Sequence, residues 1–399
     1  MDRLGVIGTT SATVRRVPAG VVALGFVSML MDTSSEMIHS LLPVFLVSVL
    51  GASALSVGVI EGIAEATASI SRVFSGTVSD WIGRRKPLVL LGYGMAALTK
   101  PLFPLANGVG AVLAARFVDR IGKGVRGAPR DALIADITPP EARGAAYGLR
   151  QSMDTVGAFI GPALAVALMA ASGDDFRLVF WIAVVPAFAA VAVILLAVHE
   201  PELSVRHVRR SPISRDQLRQ LDRRYWQVVA FAGVLTLARF SEAFLLLRAQ
   251  GIGLAVRYVP FVLIAMNVAF AASAYPFGRI SDRLRRRGLL AVGIALLVAA
   301  DLVLAAAASV WVVIVGAMLW GVHMGATQGI LSAIVADRAP TDLRGTAFGF
   351  FNLVTGVALL AASLLAGGLW TAVGPSATFL AGAAISTIAL AGVLSAGPH

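Results

Sequence analysis

"RIGKGVRGAPRDAL", Arg120 to Leu133, carries two soluble-protein signals at once. Gly122, Gly124 and Gly127 have the G-x-G-x-x-G spacing of a dinucleotide-binding turn. Arg120, Lys123, Arg126 and Arg130 crowd into the same stretch in the manner of a nucleic-acid patch. A dinucleotide turn needs a strand before the glycines and a helix N-terminus after them. Here "AVLAARFVD" leads in from an apolar segment, and another apolar segment follows. A nucleic-acid patch needs a water-facing domain, which the surrounding sequence does not offer. The glycines are therefore read as small contact surfaces on a membrane helix, with the cations lining a wet cavity and its mouth.

The whole chain agrees with that reading. Of 399 residues, 58% are hydrophobic and only 14% charged, against about 25% charged in soluble domains. Mean hydropathy is +0.83. The net charge of +11 fits the Lys/Arg excess of cytoplasmic loops, with no nucleic-acid partner. The absence of cysteine excludes disulfides, thiolate metal sites and thiol catalysis. Residues 1–19 are polar and basic without an apolar core, so a cleavable signal peptide is not expected.

Apolar segments fall at 20–50, 56–77, 88–106, 109–137, 143–172 and 178–198, then at 225–249, 255–277, 288–308, 310–337, 343–371 and 376–396. Each suffices to cross a hydrocarbon core of roughly 30 Å, which predicts an all-α integral membrane protein with twelve transmembrane helices. Arg15, Arg16, Arg84 to Lys86, the run from Arg206 to Arg224, and Arg279 to Arg287 share one side, while Lys100, Arg177 and Arg257 lie opposite. Both termini are then cytoplasmic, in a multi-pass protein of the inner or plasma membrane. The polar stretch His199 to Arg224 divides the chain into a six-helix bundle (1–198), a cytoplasmic linker (199–224) and a second bundle (225–399). "SDWIGRRK" at Ser79 returns as "SDRLRRRG" at Ser281, and "ADITPPEARGAAYG" at Ala135 as "ADRAPTDLRGTAFG" at Ala336. "SSE" at Ser34 has a weaker echo in "FSE" at Phe240. These are parallel repeats, which place a substrate site between the halves near mid-membrane.

Intramembrane charges mark that site, because each must face protein or water. Asp32, Glu36 and His39 share a face of span one, and Glu61 and Glu65 a face of span two. Arg116, Asp119 and Arg120 lie at similar depth on span four, with Lys123 and Arg126 nearer the cytoplasm. An acidic layer is thus expected to meet a basic one. The same residues fit two descriptions, a proton-coupling cavity or a set of structural ion pairs.

These residues resemble the major facilitator superfamily over essentially the whole chain. "SGTVSDWIGRRK" is similar to its motif A, through Gly76, Asp80, Gly83, Arg84, Arg85 and Lys86. Gly278, Asp282, Arg286 and Arg287 keep part of it, but Arg285 replaces the second glycine. Asp80 would close the cytoplasmic gate, whereas the arginines also serve as a positive-inside anchor. "RIGKGVRGA" resembles motif B through Arg120, Gly124 and Ala128, with Lys123 and Arg126 in place of Gln and Gly. Gly148, Gly157, Gly161 and Pro162 resemble motif C, with Ala165 and Val166 replacing its last glycines. That motif implies proton-coupled antiport, with a hinge at Pro162 or simply tight helix packing.

The resemblance implies a secondary transporter, a monomer in the lipid bilayer, exporting a small-molecule substrate against protons by alternating access. Uptake of a small solute, an anionic one among them, by symport or facilitated diffusion is the second reading. Asp32, Glu36 and His39 raise a third, a transition-metal exporter. No cofactor motif, resident metal site or enzyme signature such as H-E-x-x-H or G-x-S-x-G is present.

Overall fold

Prolines and polar residues decide where the apolar segments stop and where they break. The computed structural model describes residues 18–82, 84–139, 142–200, 220–281, 286–339 and 343–395. Gly83 and Asp282 lie outside the described residues, as does the side chain of Asp80.

The first half is built from α1 (Ala19–His39), the short α2 (Leu42–Ser48), α3 (Ala54–Ile82), α4 (Lys86–Thr99), the single turn α5 (Leu102–Leu105), α6 (Val109–Ile137), α7 (Arg143–Ser172) and α8 (Phe176–Ala197). The second half comprises α9 (Arg223–Leu237), α10 (Ala243–Gly251), a 3-10 turn (Val256–Tyr258), α11 (Phe261–Ser281), α12 (Arg286–Ala305), α13 (Val310–Arg338), α14 (Arg344–Ala372) and α15 (Pro375–Ser395). The described residues contain no strand.

Three spans expected to be continuous are interrupted. Span one breaks after His39, where Pro43 in the first turn of α2 has no N–H to return to the preceding helix. Span three breaks at Lys100 and Pro101 for the same reason. Span seven breaks between Leu237 and Ala243 without a proline, and the Ser241 hydroxyl accepts from the Ala243 N–H at 3.2 Å to restart the helix. The breaks in spans one and seven fall at equivalent places in the repeat, beside Glu36 and Glu242. Ten segments among the described residues are long and apolar enough to cross a bilayer. The remaining two crossings are α6, with five charged residues between Arg116 and Arg126, and the interrupted α9–α10 pair.

The halves use matching contacts. α6 packs on α3 and α4 as α13 packs on α11 and α12. Glycine makes the close crossings possible. A Cβ on Gly124 would lie 2.7 Å from the Ala68 carbonyl, and one on Gly122 would lie 2.6 Å from that of Gly92. The same device recurs at Gly325, 2.9 Å from the Ala274 nitrogen. Gly122 and Gly124 of the opening stretch are therefore helix-contact surfaces, whereas Gly127 lies beside the Arg72 guanidinium at a pocket wall.

Between the halves, α3 lies along α14 and α7 touches α11. At the face opposite the linker they are also joined by polar links. Arg257 Nη2 donates to Asp174 Oδ2 at 2.8 Å, Gln250 Nε2 to Ser48 Oγ at 2.5 Å, and the Leu55 N–H to Thr371 Oγ1 at 3.2 Å. Asp174 has φ of 71°, a left-handed conformation few non-glycine residues adopt, and its carboxylate is held by that arginine.

α1 lies on α7 at its glycines. A Cβ on Gly157 would sit 2.6 Å from the Met29 carbonyl and 3.0 Å from Asp32 Cβ, and one on Gly161 2.7 Å from Glu36 Cβ. Gly148 does not belong to this crossing, because it is exposed with open space around it. α7 remains helical through Pro162. Gly161→Ala should therefore cost about 1–3 kcal/mol through overpacking, and Gly148→Ala should cost nothing or stabilise α7 by up to about 1 kcal/mol, as read by thermal unfolding in detergent.

Candidate functional site

α6 carries the cations, and carboxylates on α3 and on α6 itself answer them. Arg116 Nη2 donates to Glu61 Oε2 at 2.9 Å, with both side chains at most 2% exposed. Arg120 Nη1 lies 3.3 Å from Glu65 Oε1 and its Nε 3.9 Å from Asp119 Oδ2. Asp119 in turn accepts from Lys100 Nζ at 2.9 Å. Lys100, assigned by its charge to the side opposite the linker, is buried at the bend after α4, where it also donates to Ser35 Oγ at 3.0 Å. The break at Pro101 turns it inward, and Asp119 supplies the counter-charge that burial requires.

α1 adds the titratable face. His39 Nδ1 is 3.4 Å from Glu36 Oε2 and its Nε2 3.4 Å from Glu61 Oε2. Glu36, His39, Glu61 and Arg116 thus form a polar chain through α1, α3 and α6. Asp32, one turn from Glu36, makes no hydrogen bond or ion pair among the described residues and lines the cavity towards α7. Lys123 is likewise without a hydrogen-bonded partner. It is exposed although it lies at the midpoint of α6, about 21 Å from either end. It points into the central cavity. Arg126 is buried with its guanidinium 4.5 Å from the centre of the Tyr93 ring.

The central cavity is shared by both halves. Glu36, His39, Glu61, Glu65, Arg120 and Lys123 form one wall. Arg239, Glu242, Asn267, Trp320 and Gln328 are prominent on the other. Arg116 and Asp119 do not line it and act from behind, through their ion pairs. Of the second wall, only Glu242 was singled out by the repeat. Arg239 beside the break and the lone amides Asn267 and Gln328 in apolar spans were the signals that could have found the rest. Asp301 and His323, both fully buried, were also unassigned.

The turn residues lie elsewhere. Gly76 is about 22 Å along α3 from Glu61, and a Cβ there would make an ordinary contact of 3.5 Å with Ala128. Arg84 is exposed. Arg85 is buried: its side chain donates to Ser79 Oγ at 2.6 Å and to Asp136 Oδ2 at 3.4 Å, and its N–H bonds Glu200. It staples α3 to α6 and to the start of the linker. Around Gly278, a Cβ would meet open space. No group of three His, Asp or Glu residues among those described is arranged to hold a metal ion. Both ring nitrogens of His39 already face carboxylates.

Two six-span halves around a polar cavity describe a solute path. The sequence matches the family description "Major Facilitator Superfamily" over residues 24–249 and 239–398. The chain belongs to the Major Facilitator Superfamily. An uncharacterised transporter of this type from Methanocaldococcus jannaschii is 32% identical over 381 residues, covering 94% of each chain. The multidrug resistance protein MdtH of Edwardsiella ictaluri is 28% identical over 347 residues, covering 84% of this chain and 81% of that one. The crystal structure of the nucleoside transporter NupG shares the fold, with a TM-score of 0.77 at 12% identity and coverage of 95% of this chain and 99% of that one. As a superfamily member the protein is a multi-pass membrane transporter rather than an enzyme.

The buried pair gives a direct test. Arg116→Gln should cost about 3–5 kcal/mol, because it leaves Glu61 charged and buried without its cation. The double variant Glu61→Gln/Arg116→Gln should recover most of that loss in thermal unfolding. Equal destabilisation of the single and double variants would show that the pair is not the source.

Proposed function

We propose that the protein exports a small molecule across the inner or plasma membrane by proton antiport with alternating access. The observation that carries this reading is the α1–α7 crossing. The antiporter-type glycines Gly157 and Gly161 sit against the turn of α1 that bears Asp32 and Glu36. Glu36 reaches His39 and faces the cavity it shares with Glu242. A change of charge at Glu36 would act on the crossing that joins α1 to α7. In this reading Glu36 carries the proton, Asp32 and Glu65 are its alternates, and Arg120 and Lys123 set the cavity's charge. Pro162 lets α7 bend.

The linker face is cytoplasmic in this proposal, as are both termini, and the units are 1–198 and 225–399 joined by 199–224. The protein works as a monomer. Asp80 gates the linker side, with Asp282 as its weaker counterpart because Arg285 replaces a turn glycine. Asp80→Asn should cut transport strongly at matched expression, and Asp282→Asn less so. Equal loss in both would remove the assigned asymmetry.

The coupling test is Glu36→Gln in proteoliposomes. Gradient-driven transport should vanish while substrate exchange at equal pH survives. Persistence of gradient-driven transport would exclude Glu36 as carrier. Counterflow under an imposed pH gradient separates export from uptake.

A further inference from the structure

The linker side of the cavity, rather than its centre, holds an excess of positive charge. A pocket of about 360 Å³ opens there between α1, α3, α6 and α7. Five cations and four carboxylates line it, and most cancel internally. Arg130 Nε lies 3.2 Å from Asp131, Arg150 Nη1 2.8 Å from Asp154, and Glu36 is engaged by His39. What remains is Arg72, Lys123 and Arg126 against Asp32 alone. Arg126 is 5% exposed, yet its Nη1 has no hydrogen-bond partner. A buried guanidinium N–H without an acceptor is costly, and an incoming oxyanion would satisfy it. The Tyr93 ring lies 4.5 Å from the guanidinium carbon and holds the group in place before any ligand arrives.

The pocket does not end in polar groups. Across Asp32, Gln151, Asp154 and Ala158 it is continuous with a crevice between α7 and α11. Val156, Phe159, Val268, Phe270 and Ala271 make that crevice largely apolar. A ligand filling both spaces needs an anionic head and an apolar body.

We propose that this site binds an amphipathic organic anion, with its carboxylate or phosphate on Lys123, Arg126 and Arg72 and its apolar part against Phe159 and Val268. The inference rests on the transport reading for its purpose, naming the class of solute carried, but its test needs no gradient and no transport.

Binding is measured on the full chain in neutral detergent by isothermal titration, with 2-naphthoate, acetate, inorganic phosphate and benzyltrimethylammonium as probes. 2-Naphthoate should bind more tightly than acetate, and the cation should not bind. Lys123→Gln should weaken 2-naphthoate and phosphate about tenfold or more, the loss expected for one charged contact. Phe159→Ala should weaken 2-naphthoate and leave phosphate unchanged. Arg126→Gln should behave like Lys123→Gln. If Arg126→Gln does not fold, Arg126→Lys keeps the charge, and Lys123, exposed to the cavity, carries the test. Binding of the cation as tight as that of 2-naphthoate, or unchanged anion affinity in Lys123→Gln, would overturn the site. No advantage of 2-naphthoate over acetate would remove the crevice from it. Failure of proton coupling at Glu36 with these affinities intact would leave the site standing and sink only the antiport mechanism.

Discussion

A charge inside hydrocarbon must face another charge, a dipole or water, and α6 places five charged residues between Arg116 and Arg126 under that constraint. Much of the first half follows from meeting it. Glu61 and Glu65 present α3 to Arg116 and Arg120. Lys100, turned inward by the break before Pro101, covers Asp119. Ser28 and Tyr93 accept from Arg130 at 2.9 and 3.4 Å. Lys123 has no such partner among the described residues and faces the open cavity, while Arg126 has only the Tyr93 ring. Among the described residues the second half buries fewer ionisable groups, Asp301 and His323 at its core among them, and its cavity wall is built from aromatic rings and amides around Arg239 and Glu242.

Much of this was legible in the residues. Segment lengths and the two internal repeats specified twelve spans in two halves, and the charges that interrupt apolar runs pointed to the cavity. What periodicity could not show is where a span bends. Pro43 and Pro101 look like ordinary residues of long apolar segments until the helix interruption they impose is considered. The break at 238–242 has no proline at all, and its only local sign is the polar "RFSE". Lys100 was misplaced for that reason: a lysine next to a proline at the end of a span reads as a loop residue unless Asp119 is known to lie beneath it.

The glycines divide in a way that spacing alone does not reveal. Gly157 and Gly161 touch α1, whereas Gly148, in the same motif-like series, touches nothing. Four residues, one helical turn, separate the first two, so they share a face. Gly148 precedes Gly157 by nine residues, an odd number of half-turns, so it faces away from α1, which α7 still meets at Ala146. The same distinction separates the buried Arg85, tied to Asp136 and Glu200, from the neighbouring exposed Arg84.

The seam and the interiors are fastened differently. Inside the first half the Arg116–Glu61 and Lys100–Asp119 pairs are dry and cannot part without stranding a charge. Across the seam, the Arg257–Asp174 link is exposed to water, which solvates both groups as readily apart as together. Added salt therefore loosens this clasp while leaving the Arg116–Glu61 pair nearly untouched. The close α3–α14 crossing, seated on Gly58 and Gly367, carries no charge to screen, so ionic strength acts on the rim of the join and not on its packed length.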